Sequence, residues 1–193
     1  MKVTQFETTP SFFLRPYELK PTGGRMGGAD VIEVRDTPNR QKFTGFGVAV
    51  TGSSCYNLNL MPEDERKAFL DDIYSDNGLG LSICRLSVGS SDYSAELYSY
   101  DDENADTRLE HFTVGRDDEY IVPMIKEVLN TRPDAYVFAS PWSPPGWMKT
   151  GGSMCGGYMR EQFIDCYAEY IIRFIEEYKK RGIRIDALTA QNE

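Results

Sequence analysis

Beyond about residue 40 the apolar positions gather into four short runs, and between those runs they recur every three or four residues. The runs are Gly45–Thr51 (GFGVAVT), Leu81–Val88 (LSICRLSV), Ala135–Ser140 (AYVFAS) and Ile183–Ala190 (IRIDALTA). Their length and β-branched content predict strands, and the spacing between them predicts helices. The first helix starts at Pro62, with Glu63, Asp64 and Glu65 at its positive dipole end and Phe69, Leu70 and Ile73 on its apolar face. A polar stretch from Gly89 to Arg116 precedes the second, which carries Ile121, Met124, Ile125, Val128 and Leu129. The third presents Phe163, Ile164, Tyr167, Ile171, Phe174, Ile175 and Tyr178, with Lys179, Lys180 and Arg181 at its negative end and Gly182 as its stop. Strands alternating with helices in this way build a parallel α/β sheet.

The first 40 residues follow another pattern. Pro21-Thr22-Gly23-Gly24 and Gly27-Gly28 mark turns around short extended pieces, and Val31–Val34 reads as a strand. Two regions are therefore expected: a β-rich segment over 1–40 and a βα region over 41–193. Four strands fall short of the eight that close a barrel, and 193 residues fall short of its typical ~250. The expectation is half of a larger architecture, with open sheet edges able to pair with a second copy or a complementary half.

Composition narrows the partners. Thirty Asp and Glu against 21 Lys and Arg give a net charge of −9, a field that repels a phosphate backbone, so nucleic acid is not expected. No apolar stretch approaches the ~20 residues of a membrane span, and the first residues contain no signal-like apolar core, so a cytoplasmic location is expected. Cys55, Cys84, Cys155 and Cys166 form no C-x-x-C pair, and His111 is the single histidine; neither a disulfide framework nor a metal site is expected. The GFGVAV run lacks the third glycine of a dinucleotide loop, and neither a P-loop nor a nucleophile elbow can be written. No cofactor is expected.

Ligands of parallel α/β folds lie beyond the carboxyl ends of the strands. Those ends carry Thr51-Gly52-Ser53-Ser54, Ser90-Ser91-Asp92-Tyr93, Trp142 with Trp147, and Asn192-Glu193. Indoles for the C–H face of a pyranose, with acids, amides and hydroxyls for its oxygens, suit a sugar. Arg85, inside an apolar strand, needs a carboxylate or carbonyl partner, and an acid is expected to face it.

Four segments in this order, GFG at Gly45, RLSVGSSDYS from Arg85, ASPWSPPGWMKT from Ala139 and TAQNE from Thr189, resemble glycoside hydrolase family 30, the family of glucosylceramidases, β-glucosidases and β-1,6-glucanases. The resemblance implies the N-terminal half of a (β/α)8 TIM barrel, preceded by strands of an attached β-sandwich. It implies a retaining β-glycoside hydrolase acting on β-linked glucosides or glycans, with a link to sphingolipid metabolism. Glu193 matches the general acid/base and Asn192 the amide beside it that contacts the sugar 2-hydroxyl. Asp92 and Trp142 match residues lining the glycone site, and Arg85 one that supports the catalytic carboxylates. The family's nucleophile sits on the seventh strand, and no residue here matches it. Gly52 stands where the family commonly has Asp, and Val48 where it commonly has Gly.

Blander readings stand beside these. Glu193 is also a terminal carboxylate, Asp92 an ordinary turn residue, and the tryptophans a packed loop. Asp101-Asp102-Glu103 reads as a solvated loop, His111 as a loop histidine, and Cys55 and Cys84 as core thiols. The rival functions are a non-catalytic carbohydrate-binding or assembly module and a truncated gene product.

Overall fold

The computed structural model describes residues 3–20, 23–24 and 42–192. The predicted strand Val31–Val34 and the acid/base candidate Glu193 lie outside the described residues. The chain divides into two units, Met1–Lys42 and Phe43–Glu193. Within the first, β1 (Val3–Thr9) and β2 (Phe12–Leu19) form an antiparallel hairpin, with Val3 opposite Leu19 and Glu7 opposite Arg15.

The second unit runs β3 (Gly47–Ala49), α1 (Gly52–Asn59), α2 (Glu63–Tyr74), β4 (Ile83–Val88), α3 (Ile121–Thr131), β5 (Tyr136–Pro141), α4 (Ile164–Lys180) and β6 (Ala187–Leu188). The strands lie in sequence order, each parallel to the one before, with Gly47 beside Ile83, Arg85 beside Phe138 and Phe138 beside Ala187. An unbroken order of this kind winds in one direction, as in a barrel wall, and lacks the reversal of a dinucleotide-binding sheet. Gly47 is required for its contact with β4, since a Cβ there would lie 2.1 Å from the Ile83 carbonyl oxygen.

β3, β4 and β6 are shorter than the runs that predict them, while β5 has the predicted length shifted by one residue. The fourth run contributes only two strand residues, yet it follows β5 to its end: the amides of Asp186, Thr189 and Asn192 donate to the carbonyls of Val137, Ala139 and Pro141 at 2.7, 3.1 and 3.0 Å. Helix α1 has no counterpart among the predicted helices. Its sequence GSSCYNLN buries only Cys55, so no apolar stripe announces it, and Thr51 caps it by accepting from the Ser54 amide. Pro62 stands at the cap of α2, one position before the predicted first turn.

On β4 the side chains alternate. Cys84, Leu86 and Val88 are buried in the core with α2 and α3 residues, while Arg85 and Ser87 face the other side and are half-buried. Cys55 and Cys84 are buried free thiols. In α4 the buried stripe is Tyr170, Phe174 and Tyr178. The predicted stripe holds at Phe163, Phe174 and Tyr178, with Tyr167, Ile171 and Ile175 packed against the core; only Ile164 departs, 53% exposed, and Tyr170 joins the stripe, its hydroxyl accepting from the Tyr100 amide at 2.9 Å.

The polar stretch between β4 and α3 is built into the core, burying Tyr98, Tyr100, Leu109 and Val114. Asp117 is wholly buried and receives three phenols: Tyr98 at 2.8 Å, Tyr100 at 2.5 Å and Tyr178 of α4 at 2.6 Å. Asp101 corrects the reading of a solvated acidic loop. It is 1% exposed, and burial, with the Asp106 carboxylate against it, pushes its pKa up to about 6. Neighbouring Asp102 caps the same turn by accepting from Ser99. His111 is exposed, with its Nδ1 2.9 Å from Asp106.

Candidate active site

At the carboxyl end of β4, Gly89 takes a φ of +78° and turns the chain into a tight loop. Ser90 closes that loop: its amide and hydroxyl both donate to the Tyr98 carbonyl, at 3.0 and 2.8 Å, and its hydroxyl accepts from the Tyr98 amide. Ser91 receives the Tyr93 amide on its hydroxyl and donates its own amide to Ser94. These serine turns hold Asp92 at the tip with an exposed carboxylate.

At the end of β5 the chain enters Pro141-Trp142-Ser143. The Trp142 carbonyl accepts from the Gln191 side chain at 2.6 Å, and the Asn192 amide is held on Pro141. The ends of β5 and of the fourth run are thereby locked in register, with Trp142 beside Asn192.

Arg85 reaches the same place from β4. Its guanidinium lies 5.2 Å from the Trp142 ring centroid and donates to Asn192 Oδ1. A guanidinium can only donate, so this contact fixes the amide with its oxygen inward and its NH2 available to a ligand. Among the described residues an amide oxygen and an indole face take the place of the acid expected opposite Arg85.

A cavity of about 480 Å³ opens where these elements meet. Ser90, Ser91, Asp92, Trp142, Ser143, Lys149, Gln191 and Asn192 line it, and the Gly-rich loop through Cys155, Gly156 and Gly157 closes one side. Asp92, Trp142 and Asn192 thus share one cavity, with Arg85 tied to two of them. The two tryptophans part company. Trp147 is 8% exposed, donates its indole N–H to the Asp101 carbonyl at 3.0 Å and packs edge-on against Phe163. It supports the loop and does not line this cavity. Gly52 and Ser53 line a separate cavity with Tyr56 and Arg116. A Cβ at Gly52 would meet nothing closer than the Ser94 hydroxyl at 3.4 Å, so packing does not demand glycine there.

Lys149, Ser143 and Gln191 belong to the cavity without having been singled out from the sequence. Lys149 is 8% exposed, and its ammonium donates to Ser143 Oγ at 3.0 Å and the Met154 carbonyl at 2.7 Å. Burial holds it below the usual lysine range. The local signal is its place directly after Trp147-Met148, an apolar pair at the head of a Gly-rich loop.

The glycosyl hydrolase family 30 TIM-barrel domain matches residues 43–193. The chain belongs to that family. Among family 30 relatives, it is 34% identical over 171 residues to an endo-1,6-beta-D-glucanase of Neurospora crassa, covering 84% of this chain and 36% of that protein. It is 33% identical over 177 residues to the lysosomal acid glucosylceramidase of Mus musculus, covering 88% and 34%. Among solved structures, SrfJ from Salmonella typhimurium superposes with a TM-score of 0.82 at 30% identity, over 100% of this chain and 44% of that one. The endo-beta1,6-glucanase BT3312 gives 0.73 at 39% identity, over 79% and 35%. The chain spans about a third of the length of the curated relatives it matches. The family and the parallel α/β sheet expected from the strand pattern are thus shown, as is the relationship to glycoside hydrolases.

Proposed function

We propose that this family 30 chain carries the sugar-binding and proton-donating side of a retaining β-glycosidase acting on β-linked glucosides, with β-1,6-linked glucose as the first substrate class to try. The observation that carries the reading is the cavity shared by Asp92, Trp142 and Asn192 at the carboxyl ends of the parallel strands. Trp142 offers an apolar face to the ring, Asp92 accepts from hydroxyls, and the Asn192 NH2, oriented by Arg85, donates to the 2-hydroxyl. Glu193, next in sequence, is the general acid that protonates the leaving oxygen. The nucleophile comes from the seventh strand of the full barrel, roughly 5–5.5 Å from the acid. Residues 1–42, which contain the β1–β2 hairpin, contribute to an attached β-sandwich.

Among the described residues β3 and β6 are the sheet edges; Val48 on β3 and Phe46 just before it are exposed. Further barrel strands, from a complementary half, are the partner proposed for these edges. Hydrolysis of an aryl β-glucoside tests the division of labour. The 193-residue chain alone is expected to give no turnover, and chain plus complementary half to give turnover lost in Glu193→Gln. Turnover by the chain alone that Glu193→Gln abolishes would overturn it. The rival reading, a binding module without chemistry, requires turnover in neither case.

A further inference from the structure

Two charged side chains line the cavity, and they differ in kind. Asp92 is exposed, while Lys149 is buried. A buried ammonium without a counter-charge is costly and persists where its protons are needed. Ser143 Oγ and the Met154 carbonyl take two of the three protons of Lys149. Among the described residues no carboxylate forms an ion pair with it, and the Cys155 thiol on the Gly-rich loop lines the same cavity. The Ser143 hydroxyl passes its own proton to the Pro144 carbonyl at 2.8 Å, so it meets Lys149 purely as an acceptor.

We propose that Lys149 is a substrate-binding residue of the cup, donating its third N–H to a hydroxyl oxygen of the bound sugar while the other two strap the Gly-rich loop to Ser143. This rests on the sugar-binding reading above. A neutral donor would suffice for the strap. The ammonium adds a charge-assisted hydrogen bond to an oxygen-rich ligand, stronger than a neutral one.

The two roles separate with pH. A neutral amine keeps two N–H groups, enough for Ser143 and Met154, so deprotonation spares the strap and removes the third donor. Because burial holds Lys149 below the ordinary lysine range, sugar affinity should fall on the alkaline side while the fold is unchanged. The other groups facing the site are Cys155 on the loop, Asp92 on the opposite strand end and Arg85 behind Trp142.

The test is calorimetric titration of the 193-residue chain with gentiobiose, the β-1,6-linked glucose disaccharide, from about pH 6 to about pH 10. The expected result is an affinity loss of about tenfold across the alkaline limb, retained in Cys155→Ser. Lys149→Met should bind weakly with no such limb, and Lys149→Arg should restore binding and keep it flat with pH. An alkaline limb that persists in Lys149→Met, or affinity equal to the unaltered chain's, overturns the role of Lys149 and leaves the sugar cup standing if Trp142→Ala abolishes binding. An unaltered chain that binds no gentiobiose at any pH removes the cup and this proposal together. If Lys149→Met does not fold, the limb in the Cys155→Ser and Lys149→Arg chains decides: present in the first and absent from the second supports the proposal, and any other pattern overturns it.

Discussion

Two polar clusters of the molecule, one closed in the core and one open at the strand ends, follow opposite rules. Around Asp117 both carboxylate oxygens are engaged inside the protein, with three phenols converging on one carboxylate. Around Trp142 the groups are held but left open: Asn192 is gripped by its oxygen, Lys149 by two of its protons, and Asp92 by its backbone turn alone. A closed network fixes a fold. An open one, in a cavity at the strand ends, leaves donors and acceptors that the oxygens of the proposed ligand would complete.

Closing and opening predict different phenotypes, the largest for Asp117. Asp117→Ala strands three buried phenols, and a loss of about 3–5 kcal/mol in unfolding free energy is expected, enough to unfold a marginal chain. Asp117→Asn should cost less, because an amide oxygen still accepts. Urea denaturation of the two variants checks both the size and the order.

The tryptophans sharpen the same contrast five residues apart. Trp147→Ala removes a buried ring packed on Phe163 and should cost about 3–5 kcal/mol of stability. Trp142→Ala should leave the melting temperature within a few degrees yet weaken gentiobiose binding by at least about tenfold, or ~1.4 kcal/mol. The reverse assignment would place the ligand elsewhere. Arg85→Met frees the Asn192 amide and should weaken binding by a smaller factor, with Arg85→Lys giving no full rescue because an ammonium cannot both lie flat on Trp142 and hold Asn192.

The smallest effects are pH-dependent and belong to the stretch between β4 and α3 on which Trp147 rests its indole N–H. The Asp101 carboxyl, with a folded pKa of about 6, keeps its proton in the native state while the unfolded chain has lost it above ~4. Stability should therefore fall between about pH 4 and pH 6, by an order of 1–2 kcal/mol after solvent screening. Asp101→Asn should remove that fall in a series of thermal melts. His111, raised by its Asp106 partner, adds stability at acid pH that is lost as pH rises through its folded pKa. Asp106, lowered to about 2 by its bonds to His111, loses its contribution only as pH drops toward that value.

The strands and most helices were legible because their information is periodic: Cys84, Leu86 and Val88 alternate along β4, and Phe174 and Tyr178 recur along α4. Helix α1 escaped because GSSCYNLN has no stripe to read and only its Thr51 cap to betray it. The candidate site was legible as strand ends. Asp92, Trp142 and Asn192 follow three different runs, and parallel pairing brings such positions together whatever their separation in sequence. Residues whose burial comes from distant parts of the chain were illegible. Asp101 and Asp117 look like solvated acids until the tyrosines that bury them are in place, and Lys149 looks like a surface lysine until Met154 folds over it. Arg85 announced that it needed a partner without revealing that the partner was an amide.

The central claim is that Trp142, and not Trp147, faces the sugar. The two indole N–H resonances of the 15N-labelled chain report on it directly during a gentiobiose titration. A saturable shift of the Trp142 signal, with the Trp147 signal fixed by its bond to the Asp101 carbonyl, is the expected result. Movement of the Trp147 signal alone, or of neither, would contradict the account.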